Sequence, residues 1–183
     1  MHEVSLGGTL ADYLTGEARE RTTYEDLRQA LARFLVEEKG WPRESLRPRY
    51  AVRYEVDGEI FEREADLALC DAEGIALLLV IFCPGQPHTY AREVVAMGRL
   101  AEPRPAPLVL VTDLHTAELL AVRDGAVLAE GLAAIPAPAG LEALAAEHPV
   151  SACSPEARRK ESRILHAYTG FLKTCCGETC TLE

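Results

Sequence analysis

The sequence predicts an α/β fold in which a mixed β-sheet is flanked by helices. Three observations lead there. Two stretches of period-two alternation flank Asp57-Gly58, a strong hairpin signal. The run Ile75 to Cys83 is apolar on both faces, as a central strand is. Stretches of helical period stand before and after these strands.

Residues 1–21 are weakly patterned, and Leu10, Tyr13 and Leu14 are spaced for one or two helical turns. The first firm helix starts at Thr23 as N-cap, with Asp26 in a box-like position. Leu27, Ala30, Leu31, Phe34 and Leu35 form its apolar stripe, and Lys39-Gly40 followed by Pro42 ends it. Tyr50 to Val56 is the first strand, and Ile60 to Cys70 the second. Ile75 to Cys83 is the third, stopped by Pro84-Gly85-Gln86-Pro87. A helix over Thr89 to Leu100 leads to a short strand at Leu108 to Val111, so one helix separates two strands, which fits a right-handed crossover and a parallel pair. Leu119 to Val122 and Ala126 to Leu128 make a hairpin about Asp124-Gly125. A short helix follows at Leu141 to Glu147, and Ser154-Pro155-Glu156 opens a last amphipathic helix. The expected division is an α/β domain over 1–148 and a C-terminal helix with a Cys-rich tail over 149–183.

The chain has 183 residues, 48% of them hydrophobic, enough for a packed core. No apolar run reaches the length of a membrane span, and no basic region with an apolar stretch opens the chain. A cytoplasmic protein with no membrane partner is expected. The formal net charge is -10. Because binding to DNA rests on Lys and Arg neutralising phosphates, DNA is expected to be held only weakly, or with a partner's help.

Three segments carry a family resemblance. Tyr24-Glu25-Asp26-Leu27-Arg28 runs on to Lys39-Gly40-Trp41-Pro42; Arg63-Glu64-Ala65-Asp66-Leu67-Ala68-Leu69 follows; and Leu78-Leu79-Val80-Ile81-Phe82-Cys83-Pro84-Gly85 is the third. Together they resemble the PD-(D/E)xK nuclease domain found at the N-terminus of type I restriction enzyme R subunits, over roughly residues 22–130. The resemblance implies a restriction-endonuclease-like core. An Asp on its second strand, with an acid and a Lys on its third, would hold Mg²⁺ and activate water against a phosphodiester. Asp66 falls on the metal-binding Asp. Counting back from Pro84 puts Val80 where the acid belongs and Phe82 where the Lys belongs, and neither side chain has a ligand atom or a proton to move. Glu64, two residues from Asp66 on the same strand, joins it in the catalytic set. Glu25 and Glu93 are the other candidates for a relocated Mg²⁺-binding acid. Arg63 or Arg92 would have to replace the Lys, stabilising charge without acting as a base.

Six cysteines are present. Cys70 and Cys83 read as small core residues. Cys175, Cys176 and Cys180 cluster in the tail, and with a fourth ligand from Cys153 or His166 they are candidate ligands for zinc or an iron–sulfur cluster, although the spacing is not the usual pair of CxxC hooks. His88 and His115 lie near strand ends, where α/β sheets place ligands, and His166 reads as a packing group. The expected function is that of a catalytically impaired endonuclease-like binding or structural module. The alternatives are a Mg²⁺-dependent nuclease with a relocated acid, a metal-binding or redox-responsive protein using the cysteine tail, and an interaction domain that pairs with a protein partner or forms a homodimer.

Overall fold

A computed structural model describes residues 3–83, 85–113 and 115–175, with side chains as far as residue 169. Pro84, from which the third-strand motif is counted, lies outside the described residues, as do Cys176 and Cys180.

The chain opens with a two-stranded antiparallel hairpin, β1 (Ser5–Ala11) and β2 (Ala18–Thr22). This differs from the helical turns expected there. Asp12 Oδ1 accepts from the backbone N–H groups of Leu14 and Thr15, both at 2.9 Å, so a side chain takes the donors a helix would have used. Helix α1 (Thr23–Arg33) follows and ends in a π-helical turn, Phe34–Glu38. Its cap is Thr22 rather than Thr23: Thr22 is extended and its hydroxyl accepts from Glu25 N at 3.0 Å. The Thr23 hydroxyl is taken by Val4 N at 3.1 Å, and Asp26 pairs with Arg21 at 3.0 Å.

The main sheet has six strands in sequential order: β3 (Leu46–Val56), β4 (Glu59–Cys70), β5 (Ala76–Phe82), β6 (Leu108–Thr112), β7 (Ala117–Ala121) and β8 (Val127–Glu130). All neighbours are antiparallel except β5 and β6, which run parallel. That exception has a simple cause. The other neighbours are joined by short turns, such as Asp57-Gly58 with both φ positive (52° and 87°), whereas β5 and β6 are joined by helix α2 (Ala91–Leu100). The mixed α/β class expected from the sequence is thus the observed one.

Two apolar layers sandwich the sheet. On one face α2 and the long helix α4 (Pro155–Cys175) cover Val52, Ala65, Leu79, Ile81 and Val109. On the other, α1, Trp41 and helix α3 (Pro138–Glu147) cover Leu67, Leu78, Val80, Leu110 and Leu119. Helix α4 is fastened to α2 by a buried carboxylate: Glu161 accepts from Arg92 at 2.6 Å and from Arg99 at 2.8 Å. Charge pairing of this kind lets a helix with four basic residues between 158 and 163 lie on an apolar layer.

Helix α2 comes close to the sheet at Gly98. A Cβ placed there would sit 2.6 Å from Val122 Cγ2 and 2.9 Å from Val109 Cγ1, both in the core. Gly98→Ala is therefore expected to destabilise the fold by about 1–3 kcal/mol, because the clash falls on packed side chains rather than flexible ends. Urea unfolding checks this. A variant as stable as the parent would show that the layer relaxes.

Candidate functional site

The candidate site sits where the regular alternation of β3 and β4 breaks. On β4, Ala65 packs on the α2 side. Alternation would return Leu67 to that side, yet Leu67 and Leu69 pack on the α1 side while Ala68 and Cys70 take the α2 side. Asp66 marks the break. It lies between the registered pairs Tyr50–Ala65 and Pro48–Leu67, opposite Arg49, whose φ of 52° is left-handed. A non-glycine residue in that region costs of order 1–3 kcal/mol and persists only where its surroundings hold it.

The surroundings are a buried charge network. Asp66 Oδ1 accepts from Arg28 Nη2 at 2.7 Å, and its Oδ2 accepts from the backbone N–H of Phe82 at 2.7 Å. The other amino group of Arg28, Nη1, donates to Glu25 Oε2, which also takes Arg49 Nη2. Glu25 Oε1 accepts from Gln29 Nε2 at 2.6 Å, and the same Gln29 amide reaches Asp12 Oδ2 at 3.2 Å. Only 1% of the Glu25 side chain and 7% of the Arg28 side chain are exposed. Burial opposes the charge on Arg28, but Asp66 and Glu25 outweigh it and hold the guanidinium above its ordinary pKa. For Asp12, burial likewise works to raise the pKa, while donors from Thr15, Gln29 and Leu14 bring it below the ordinary carboxylate value.

Val80 and Phe82 lie beside this network. Val80 is registered against Leu67, and both Val80 and Phe82 belong to the α1-side core with almost no exposure. The Phe82 ring meets the Tyr24 ring of α1 edge-on, with centroids 6.0 Å apart. Next to Asp66, whose Oδ2 takes the Phe82 N–H, β5 thus presents hydrocarbon to the α1 side.

The other candidate residues fall elsewhere. Glu64 is exposed on β4, opposite Ala51. Glu93 stands on α2, across the sheet from Asp66, where it accepts from Arg63 Nε at 3.1 Å and leaves Oε2 buried without a hydrogen-bond partner. Burial pushes the Glu93 carboxyl above its usual range, against the pull of Arg63. Arg92 is committed to Glu161. Among the described residues, no three His, Cys, Asp or Glu side chains are grouped to hold a metal ion. Cys153 contacts the carbonyl of Arg99 at 3.9 Å, and the cluster proposed for it lies largely outside the described residues. Burial raises the Cys83 thiol to about 11, which keeps it protonated at neutral pH. His88 is exposed and 3.9 Å from Glu118, His115 is an exposed turn residue whose N–H reaches Asp113, and the His166 ring packs on Phe61 with centroids 4.4 Å apart.

Sequence reading brought out Glu25 and Asp66 and missed Arg28 and Arg49, which join them. Arg28 did carry a signal, since it stands three residues after Glu25 on one helix. The partnership with Asp66, 38 residues on, has none.

Helix, three antiparallel strands, helix and a parallel strand, with an Asp in the second strand reached by the first helix, define a restriction-endonuclease-like domain. The chain belongs to the family of type I restriction enzyme R protein N termini, whose model matches residues 23–136. Among solved structures it is similar to the type IIG restriction endonuclease BpuSI, with a TM-score of 0.39 and 15% identity over 85% of this chain and 17% of that one. The chain thus spans under a fifth of that enzyme's length, and the family assignment rests on the sequence match. No curated protein matches the chain. Among the described residues no helix is long and apolar enough to cross a membrane.

The buried Glu93 carboxyl gives a pH test with a definite sign. Its folded pKa lies above the ordinary carboxyl value of 4.5, so its contribution to stability is fully present below that value and is lost as pH rises through the folded pKa. Thermal melts of Glu93→Gln and the parent should diverge in the variant's favour as the pH is raised from acid to neutral. A Tm difference that is constant with pH would show that burial at Glu93 carries no protonation cost.

Proposed function

We propose that this protein is a non-cleaving member of its family, a cytoplasmic module that binds DNA or supports a DNA-processing assembly without hydrolysing phosphodiesters. One observation carries the reading: Val80 and Phe82 project from β5 onto the face of Asp66, and Phe82 is packed against Tyr24. Metal-dependent hydrolysis needs oxygen ligands and a group that stabilises the charge developing on phosphate, and neither side chain supplies one. Mg²⁺ does not fit the acids that remain. Both oxygens of Glu25 and both of Asp66 already accept hydrogen bonds, and the buried polar atoms left over at the site, Arg28 Nε and Arg49 Nη1, are donors. A cation would meet positive charge and N–H groups where it requires lone pairs.

Support for DNA as the partner comes from the family and from α4. The chain is acidic overall, yet Arg158, Arg159, Lys160 and Arg163 follow one another along that helix. Arg158, Arg159 and Arg163 line a groove between α4 and the Asp57-Gly58 hairpin. Arg158 pairs with Glu102 and Arg163 with Asp57, while Arg159 and Lys160 are exposed beside them. Contacts of this kind are insensitive to base sequence and fall with salt.

Two measurements test the reading. Supercoiled plasmid incubated with purified protein and Mg²⁺ or Mn²⁺ should remain uncut; nicking that is lost in Asp66→Ala would overturn the proposal. In low salt, fluorescence anisotropy with duplex DNA should show binding that weakens several-fold in an Arg159→Ala/Lys160→Ala double variant, with a shallower salt dependence. Equal affinity for parent and variant would move the DNA surface away from α4.

A further inference from the structure

We infer that a second copy of this chain pairs with the outer edge of β3, antiparallel and about a two-fold axis at Tyr54, so that Arg53 of each copy meets Glu55 of the other. The inference stands apart from the non-cleaving reading and from DNA binding.

Strand β3 ends the six-stranded sheet. Among the described residues, β4 is the only partner of its backbone between Tyr50 and Val56, and no turn or side chain meets the N–H and C=O groups on its outer side. Proteins ordinarily guard such an edge with Pro, Lys, bulges or kinks. In β3 those guards stand only near its start, where Pro48 and the left-handed Arg49 interrupt the strand. From Tyr50 to Val56 the pairing is regular, with Val52 and Tyr54 buried on the α2 and α4 side and Ala51, Arg53 and Glu55 exposed on the other face. An open groove of about 370 Å³ lies between α4 and residues 55–58, so the helix does not close over this end of the edge.

Symmetry limits the register. Joining two copies of one edge antiparallel sets the two-fold axis perpendicular to the sheet, so every side chain keeps its face and the axis must fall on a residue. An axis on Arg53 opposes two guanidiniums, and one on Glu55 opposes two carboxylates, both unfavourable across strands. An axis on Val52 leaves Arg53 opposite Ala51 and carries Glu55 to Arg49, where the left-handed backbone stops a ladder. With the axis on Tyr54, Arg53 and Glu55 become cross-strand neighbours twice, and Val52 stands opposite Val56. Arg53 donates to Glu62 of its own β4 at 3.1 Å, with both side chains well exposed, and Glu55 has no ion-pair or hydrogen-bond partner among the described residues. Glu55 of a second copy therefore reaches Arg53 from its open side. The same axis leaves both α4 helices on one face of the joined sheet, so residues 158–163 of the two copies share one side of the dimer.

Sedimentation velocity over a concentration series tests this on the full chain, with Arg53→Glu, Glu55→Arg and the double variant Arg53→Glu/Glu55→Arg. The parent should pass from monomer to dimer as concentration rises, because a short ladder is a small interface. Each single variant turns both cross-axis pairs into like charges and should dimerise roughly tenfold more weakly. The double variant restores opposite charges and should recover the parent's dimer. An equimolar mixture of the single variants should form a heterodimer at concentrations where each alone is monomeric. Both positions are exposed, so the fold should survive every change. Hydrogen exchange on the parent gives a readout free of mutation: alternate amides between Tyr50 and Val56 should gain protection as the dimer forms. A parent that stays monomeric at every concentration, a dimer that ignores both charge reversals, a double variant as weak as the singles, or β3 amides whose protection does not change with dimerisation overturns the inference.

Discussion

The ion bridge from Glu25 through Arg28 to Asp66 is the constraint on which the rest of the α1 face depends. Through it and its neighbours, the β1–β2 turn at Asp12, helix α1, strand β3 at Arg49, strand β4 at Asp66 and strand β5 at the Phe82 amide are joined in one connected set of hydrogen bonds. Buried charges are tolerated only when paired, and breaking a buried pair by removing one partner costs about 3–5 kcal/mol. The network therefore fixes how α1 sits on the sheet more tightly than its apolar stripe could, since apolar contacts accept small shifts and a bridging guanidinium does not. It also explains the left-handed Arg49. The strain at that residue is held by a guanidinium that must reach Glu25 from the break in β3.

Asp66 has a duty to the fold apart from any chemistry. At the break in β4 it takes the Phe82 N–H with a side-chain oxygen, satisfying a buried donor beside an irregular stretch of ladder. An apolar residue at position 66 would leave that N–H and one arm of Arg28 without partners. An Asp in this strand is thus consistent with a working nuclease and equally with a domain that never cuts. On the proposed reading, the positions that separate the two are 80 and 82 on β5, where a Val and a Phe stand.

Most of the fold was legible because it rests on local signals. Asp57-Gly58 enforces a tight hairpin, the apolar run before Pro84 marks a strand covered on both sides, and the helix between that strand and Leu108 dictates their parallel pairing. The N-terminal hairpin was not legible. Leu10, Tyr13 and Leu14 do fit a helical spacing, but Asp12 captures the backbone donors locally, and Gly7, Gly8 and Gly16 each adopt positive φ. The cap of α1 was missed by one residue because Thr22 and Thr23 offer the same hydroxyl, and only pairing of Val4 with Thr23 decides between them. At the site, strand alternation placed Val80 and Phe82 on one face, and Glu25 and Asp66 were both named. Glu93 shows the limit of that reasoning: proximity in sequence to the β5 exit does not reveal that α2 lies across the sheet from α1.

On the proposed non-cleaving reading, Val80 and Phe82 reinforce each other physically. With an acid at position 80, a further carboxylate would join Glu25, Asp66 and Asp12 on the α1 face, with no third guanidinium in the network to meet it. With a Lys at position 82, its ammonium would compete with Arg28 for Asp66. Hydrocarbon at both positions removes each conflict and supplies the dry surroundings in which the Arg28 bridge is strongest. The Phe82 ring against Tyr24 also closes the face from β5, so water reaches Asp66 little, with 13% of its side chain exposed. Restoring the acid and the Lys on β5 alone would consequently place them beside a carboxylate already neutralised from α1. The acids on this face already meet cations that the chain itself supplies, Arg28 and Arg49.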